Sequence, residues 1–85
     1  MDKYKVAIVD DDEVALENLS FELGKDARFF LKGTARNGKQ GKKLIAKVQP
    51  DLLFLDVELP DMTGMELLQE IRDSVSWNMR IGFYT

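Results

Sequence analysis

Residues 50–64 read Pro-Asp-Leu-Leu-Phe-Leu-Asp-Val-Glu-Leu-Pro-Asp-Met-Thr-Gly, and the reading of this stretch decides the fold. Leu52, Leu53, Phe54 and Leu55 form a continuous apolar run, the mark of a strand covered on both faces, and the run terminates in an acid, Asp56. Pro60, Asp61 and Gly64 make a loop. Thr63 and Glu66 then have capping-box spacing ahead of Met65, Leu67, Leu68 and Ile71, which predicts a helix that fades after Asp73.

The same grammar extends in both directions. Lys5-Val6-Ala7-Ile8-Val9 is a short β-branched run stopped by Asp10-Asp11-Asp12, again a buried strand with acids at its carboxyl end. From Glu13, Val14, Leu16, Leu19, Phe21 and Leu23 recur at helical rather than alternating spacing as far as Gly24, with Asp12 placed to cap the first turn. Arg28 to Ala35 is rich in strand formers, and Asn37-Gly38 marks the turn after it. Asn37 and Gln40 repeat the capping-box spacing before Leu44, Ile45 and Val48, and Pro50 ends that second helix. Met79 to Thr85 reads as a fourth strand. Strand and helix therefore alternate from end to end, the pattern of a parallel α/β sheet with right-handed crossovers, with no internal repeat, linker or second domain.

Composition narrows the chemistry. The 85 residues are 45% apolar and 32% charged, an ordinary globular balance for a single small domain. The chain has no cysteine and no histidine, so disulfides, thiolate sites and imidazole bases or ligands are excluded, leaving carboxylates, hydroxyls and amines. The apolar run at the N-terminus is too short for a signal peptide, and no stretch approaches the roughly 20 apolar residues of a membrane span, so a cytoplasmic location is expected. A net charge of −3 argues against nucleic-acid contact by this segment, because such surfaces need clustered positive charge. Arg36, Lys39, Lys42, Lys43 and Lys47 around the second helix read as a solvated face.

In open α/β sheets, ligands bind beyond the carboxyl ends of the strands. The first strand ends in Asp10-Asp11, the third in Asp56 and the fourth in Thr85. If the first and third strands are neighbours, three carboxylates and a hydroxyl converge. Carboxylates about 4 Å apart repel by roughly 1 kcal/mol per pair in water and about 4 kcal/mol at an effective dielectric of 20, so the cluster calls for a cation. An all-oxygen ligand set favours Mg2+, which commonly shares its shell with a phosphate, and a carboxylate beside it can act as a nucleophile toward phosphorus.

Taken together, residues 6–12 (Val-Ala-Ile-Val-Asp-Asp-Asp) and 50–64 resemble the receiver domains of two-component response regulators, the second stretch having strand, acid, proline loop and glycine all in register. The resemblance covers the whole chain, residues 1–85, as a partial receiver domain. It implies a flavodoxin-like doubly wound parallel sheet truncated after the fourth strand, β1α1β2α2β3α3β4 in the order 2-1-3-4. It further implies that Asp56 accepts a phosphoryl group from a sensor histidine kinase and that Asp11 binds Mg2+ directly. Asp10 would assist through water or by positioning, the backbone carbonyl of Glu58 would supply another oxygen, and Thr85 would be the switch hydroxyl. Receiver domains continue through a further helix, a lysine-bearing fifth strand and a last helix, so an exposed fourth strand is expected here, with self-association through it. The wording of residues 52–68 resembles regulators carrying a LytTR-type output domain.

Two other readings compete. A receiver-like module could dock or dimerise without efficient phosphotransfer. A metal-dependent phosphohydrolase would place a second acid two residues after its nucleophile, as Glu58 stands to Asp56, but no further lysine or acid motif follows to complete such a site. The expectation is a phosphoacceptor rather than an enzyme.

Overall fold

The computed structural model describes residues 3–84. Thr85 lies outside the described residues. The chain runs β1 (Tyr4–Val9), α1 (Glu13–Gly24), β2 (Phe29–Ala35), α2 (Gly38–Val48), β3 (Leu52–Asp56), α3 (Gly64–Ile71), a 3-10 turn (Arg72–Ser74) and β4 (Arg80–Tyr84). The four strands form one sheet in the order β2-β1-β3-β4. Every pairing is parallel, with Val9 opposite Leu55 and Asp56 opposite Tyr84. The parallel sheet is the one expected from the alternation of elements, and its order is the flavodoxin-like one that the resemblance implied.

Packing follows from the two-residue period of the central strands. Ala7 and Val9 of β1 and Leu53 and Leu55 of β3 face one way, into a cluster closed by Ile45 of α2 and Leu67 and Ile71 of α3. Val6 and Ile8 face the other way, against Leu16 and Leu23 of α1. Val6 to Val9 are fully buried, as befits an inner strand between two helical layers. β3 differs from the expectation of cover on both faces. Leu53 and Leu55 are fully buried, but Leu52 and Phe54 are only partly covered, because α1 is the one helix on their side and sits over β1 and β2. The apolar spacing of α1 also overstates its buried face, since Val14 and Phe21 are 63% and 68% exposed.

Helix ends obey local chemistry. Asp12 caps α1, its carboxylate accepting from Val14 N at 3.0 Å. Thr63 and Glu66 form the complete capping box of α3, Thr63 Oγ1 accepting from Glu66 N and Glu66 Oε1 from Thr63 N. At α2 the box is half made: Asn37 accepts from Gln40 N, but the Gln40 side chain accepts from Arg36 N instead of Asn37 N. β2 starts at Phe29, one residue later than expected, because Asp26 takes both the amide and the guanidinium of Arg28 into a turn. Trp77, which the sequence did not place, packs against the α2–α3 cluster and donates from Nε1 to the Pro50 carbonyl at 2.8 Å. Among the described residues, no helix is long and apolar enough to cross a membrane.

Gln49, between α2 and β3, adopts a left-handed conformation with φ 50°, where a Cβ crowds its own backbone. Gln49→Gly is expected to stabilise the chain by about 0.5–1 kcal/mol, measured by urea denaturation. A lower denaturation midpoint would show that the Gln49 side chain contributes more than its backbone costs.

A candidate acidic metal centre

Parallel pairing of β1 with β3 brings the ends of the two strands level, so the residues that follow Val9 and close β3 lie side by side. Asp10 extends the ladder by donating its amide to the Ala35 carbonyl at 2.9 Å, and its side chain is turned inward, 2% exposed. One of its oxygens accepts from Asp12 N at 2.9 Å, which fixes the carboxylate. Asp11 is exposed and Asp56 half-buried. Each of the three offers a carboxylate oxygen, and these oxygens lie within 4.8 Å of one another. The structure thus assembles Asp10, Asp11 and Asp56 as anticipated. Glu58 borders an open depression over them, shared with Asp11, Asp56, Val57, Leu59 and Pro60.

The electrostatics show the strain of that assembly. Burial pushes the Asp56 carboxyl above its ordinary value, and the Asp10 and Asp11 charges push it further. The Glu58 amide, donating to Asp56 Oδ1 at 3.3 Å, opposes the shift. No lysine or arginine is ion-paired to any of the three carboxylates among the described residues. Arg36 comes near, but its guanidinium donates to the Asp11 main-chain carbonyl at 3.1 Å. The rest of its basic neighbourhood is a solvated face, with Lys42 reaching Glu70 at 3.5 Å.

The loop after Asp56 is shaped mainly by its own backbone. Val57 N donates to the Tyr84 carbonyl, Leu59 N to Met62 O and Gly64 N to Val57 O, while Glu58 and Thr63 bridge antiparallel. Gly64 is required by close approach: a Cβ there would land on the Asp56 carbonyl oxygen. Asp61, read from sequence only as a loop residue, clamps the loop to α2 by accepting from Gly38 N at 2.7 Å and Lys39 N at 3.0 Å. Those two amides, Gly38 first, hold its carboxyl below the ordinary value. Met62 lies directly over Gly38, where any Cβ would strike it.

Sequence reasoning also missed Tyr84. It was placed only as part of an edge strand, yet it stands opposite Asp56 across the β3–β4 ladder. Its hydroxyl is buried and, among the described residues, closes no hydrogen bond of full geometry. Burial, then the neighbouring Asp10, Asp56 and Asp12 carboxylates, push the phenol far above its ordinary value. The one signal in the sequence was its position at a strand end.

The model of the family described as the response regulator receiver domain matches residues 6–85. The chain belongs to that family. Over 71 residues, 84% of its length, this receiver domain is 42% identical to the protein-glutamate methylesterase/protein-glutamine glutaminase of Geobacillus kaustophilus, spanning 20% of that protein. It is 33% identical over 69 residues to the transcriptional regulatory protein YdfI of Bacillus subtilis, spanning 81% of this chain and 32% of that one. Among solved structures, the signal receiver domain of NarL from Mycobacterium tuberculosis superimposes with a TM-score of 0.88 at 24% identity, over 98% of this chain and 66% of that one. A LuxR-family DNA-binding response regulator from Staphylococcus aureus gives 0.82 at 28%, over 94% and 66%. The receiver domain thus spans a fifth to a third of these two curated relatives and about two-thirds of these solved chains.

The raised Asp56 carboxyl has a consequence for stability. A folded-state value above the unfolded 3.8 means that the folded chain holds the proton more tightly, so ionising Asp56 costs stability at all pH above the folded value and nothing well below 3.8. Asp56→Asn is therefore expected to raise the melting temperature at pH 7 in low salt without divalent cations. The gain should be about 4–8 °C for each kcal/mol of repulsion relieved, of order 1 kcal/mol in all, and should shrink as pH falls toward 4. Thermal scans across that range check it, and a lower melting temperature at neutral pH would contradict it.

Proposed function

We propose that residues 1–85 act in cytoplasmic phosphorelay signalling, with Asp56 accepting a phosphoryl group from a sensor histidine kinase in a Mg2+-dependent step. The observation that carries this reading is the convergence of Asp10, Asp11 and Asp56 at the carboxyl ends of two adjacent parallel strands, with no side-chain cation paired to them among the described residues. The donor set suits a hard divalent ion: three carboxylates, one of them buried and fixed, with the Glu58 main chain at the rim. Asp11 and Asp56 would hold Mg2+ directly, Asp10 would bind through water or position it, and the Glu58 carbonyl would add an oxygen. Bound Mg2+ would neutralise charge on the transferring oxygens.

The chain's own residues do the rest. One Asp56 oxygen attacks phosphorus in line with the departing kinase imidazole, forming the acyl phosphate as the P–N bond breaks. The Glu58 amide at Asp56 Oδ1 orients that carboxylate. Thr85, next in chain to Tyr84, is proposed as the switch hydroxyl. The receiver itself is read as a phosphoacceptor rather than a catalyst, and a net charge of −3 argues against nucleic-acid contact by this segment. An output domain outside this segment would carry the response. The relatives include methylesterases, transcriptional regulatory proteins and a C4-dicarboxylate response regulator, so the output carried here is left open by their names.

Incubation with acetyl phosphate and Mg2+ is expected to label the chain once, at Asp56, with the label absent from Asp56→Asn and after chelation. Label surviving that substitution would refute the assignment.

A docking and self-association role has its own support. Among the described residues β4 is paired on one side only, and Ile81 and Phe83 on it are 39% and 44% exposed. Apolar grooves flank the strand, one lined by Leu68, Ile71, Val75, Trp77, Met79 and Ile81. A second copy adding to this edge would cover it. Size-exclusion chromatography at high protein concentration should show a dimer, and Ile81→Lys should shift it to monomer. A wild-type monomer throughout rules the contact out.

A further inference from the structure

The Tyr84 hydroxyl poses a problem of hydrogen-bond accounting. It is the one buried side-chain polar atom left without a partner among the described residues. Such an atom carries a desolvation penalty of roughly 1–3 kcal/mol unless something meets it, and in native proteins an orphan of this kind points to an ion, water or ligand. Its surroundings say what kind. The ring packs against the α1-side cluster that holds Val6 and Ile8. The main chain is locked beside the acid site: Tyr84 pairs with Asp56 in the ladder, and its carbonyl accepts from Val57 N at 3.1 Å. The Asp10 carboxylate bears most strongly on the hydroxyl, close enough to draw on its proton, and Asp56 comes next, though neither meets the geometry of a fully formed hydrogen bond. One Asp10 oxygen is engaged by Asp12 N, which holds that carboxylate in place beside the phenol.

We propose that Tyr84 is a positioning residue of the acidic centre, its phenol O–H a preplaced donor for an oxygen borne by the cation that fills the cluster of Asp10, Asp11 and Asp56. The proposal rests on the reading of that cluster as a metal site and adds a residue to it. A phenol can donate to a metal-bound water while remaining uncharged, so it contributes a directed hydrogen bond without adding to the ligand charge. A water held between a cation and a fixed donor loses little further freedom, so the bond adds to affinity. The orphan of the metal-free chain becomes a satisfied group in the loaded one.

Tyr84→Phe removes the hydroxyl and keeps the ring. Two measurements on the 85-residue chain separate the roles: Mg2+ affinity from a titration of backbone amide resonances, and the melting temperature without divalent ions. The proposal expects the variant to bind Mg2+ about three- to tenfold more weakly, while its metal-free melting temperature stays level or rises because an unsatisfied group has gone. A hydroxyl that only supports the fold would give the reverse, a lower melting temperature with unchanged Mg2+ affinity, and that result overturns the proposal. Equal affinity with unchanged stability overturns it as well. If the wild-type chain itself shows no Mg2+ response at millimolar concentrations, the reading of the metal site falls, and this proposal with it.

Discussion

The constraint on which the rest depends is the parallel pairing of β1 with β3. β1 is buried on both faces, so its side chains leave no alternative register that keeps Val6 to Val9 out of water. With that register set, Asp10 and Asp56 must emerge at the same end of the sheet and at the same level. Burial of apolar side chains is worth about 25 cal/mol per Å2, and here it acts against the mutual repulsion of the acids. The sheet pins in place a group of charges that would otherwise separate.

That opposition explains why the site looks as it does. Asp10 is buried and fixed by a backbone donor, Asp11 stays in solvent, and Asp56 sits between, with its carboxyl raised. On the proposed reading, this gradient of burial across three carboxylates would supply one rigid ligand, one accessible ligand and one nucleophile from the same residue type. The loop from Val57 to Thr63 then encloses the accessible side without covering it.

Much of this was legible in the sequence because it is local. An apolar run ending in an acid marks a strand end, and Thr63 with Glu66 marks a helix start, using residues within four positions of one another. What escaped notice depends on distant partners. Asp61 meets Gly38 and Lys39 across 22 or 23 positions, and Trp77 meets Pro50 across 27. Tyr84 becomes relevant only once the ladder sets it opposite Asp56. The same limit explains the overestimated cover of β3: an apolar run records what a strand prefers, while the helix above it decides what is covered.

The backbone bonding of the loop after Asp56 has a consequence for how this surface can diversify. Its shape rests on main-chain contacts, on Asp61 and on the missing Cβ of Gly64, while the side chains of Val57, Glu58 and Pro60 are exposed. Those side chains can change without moving the acids beneath them. On the proposed reading, chemistry and recognition would be written in separate alphabets at one address: the backbone holds the geometry of the acids constant, and the outward side chains remain a free label by which one partner could be told from another.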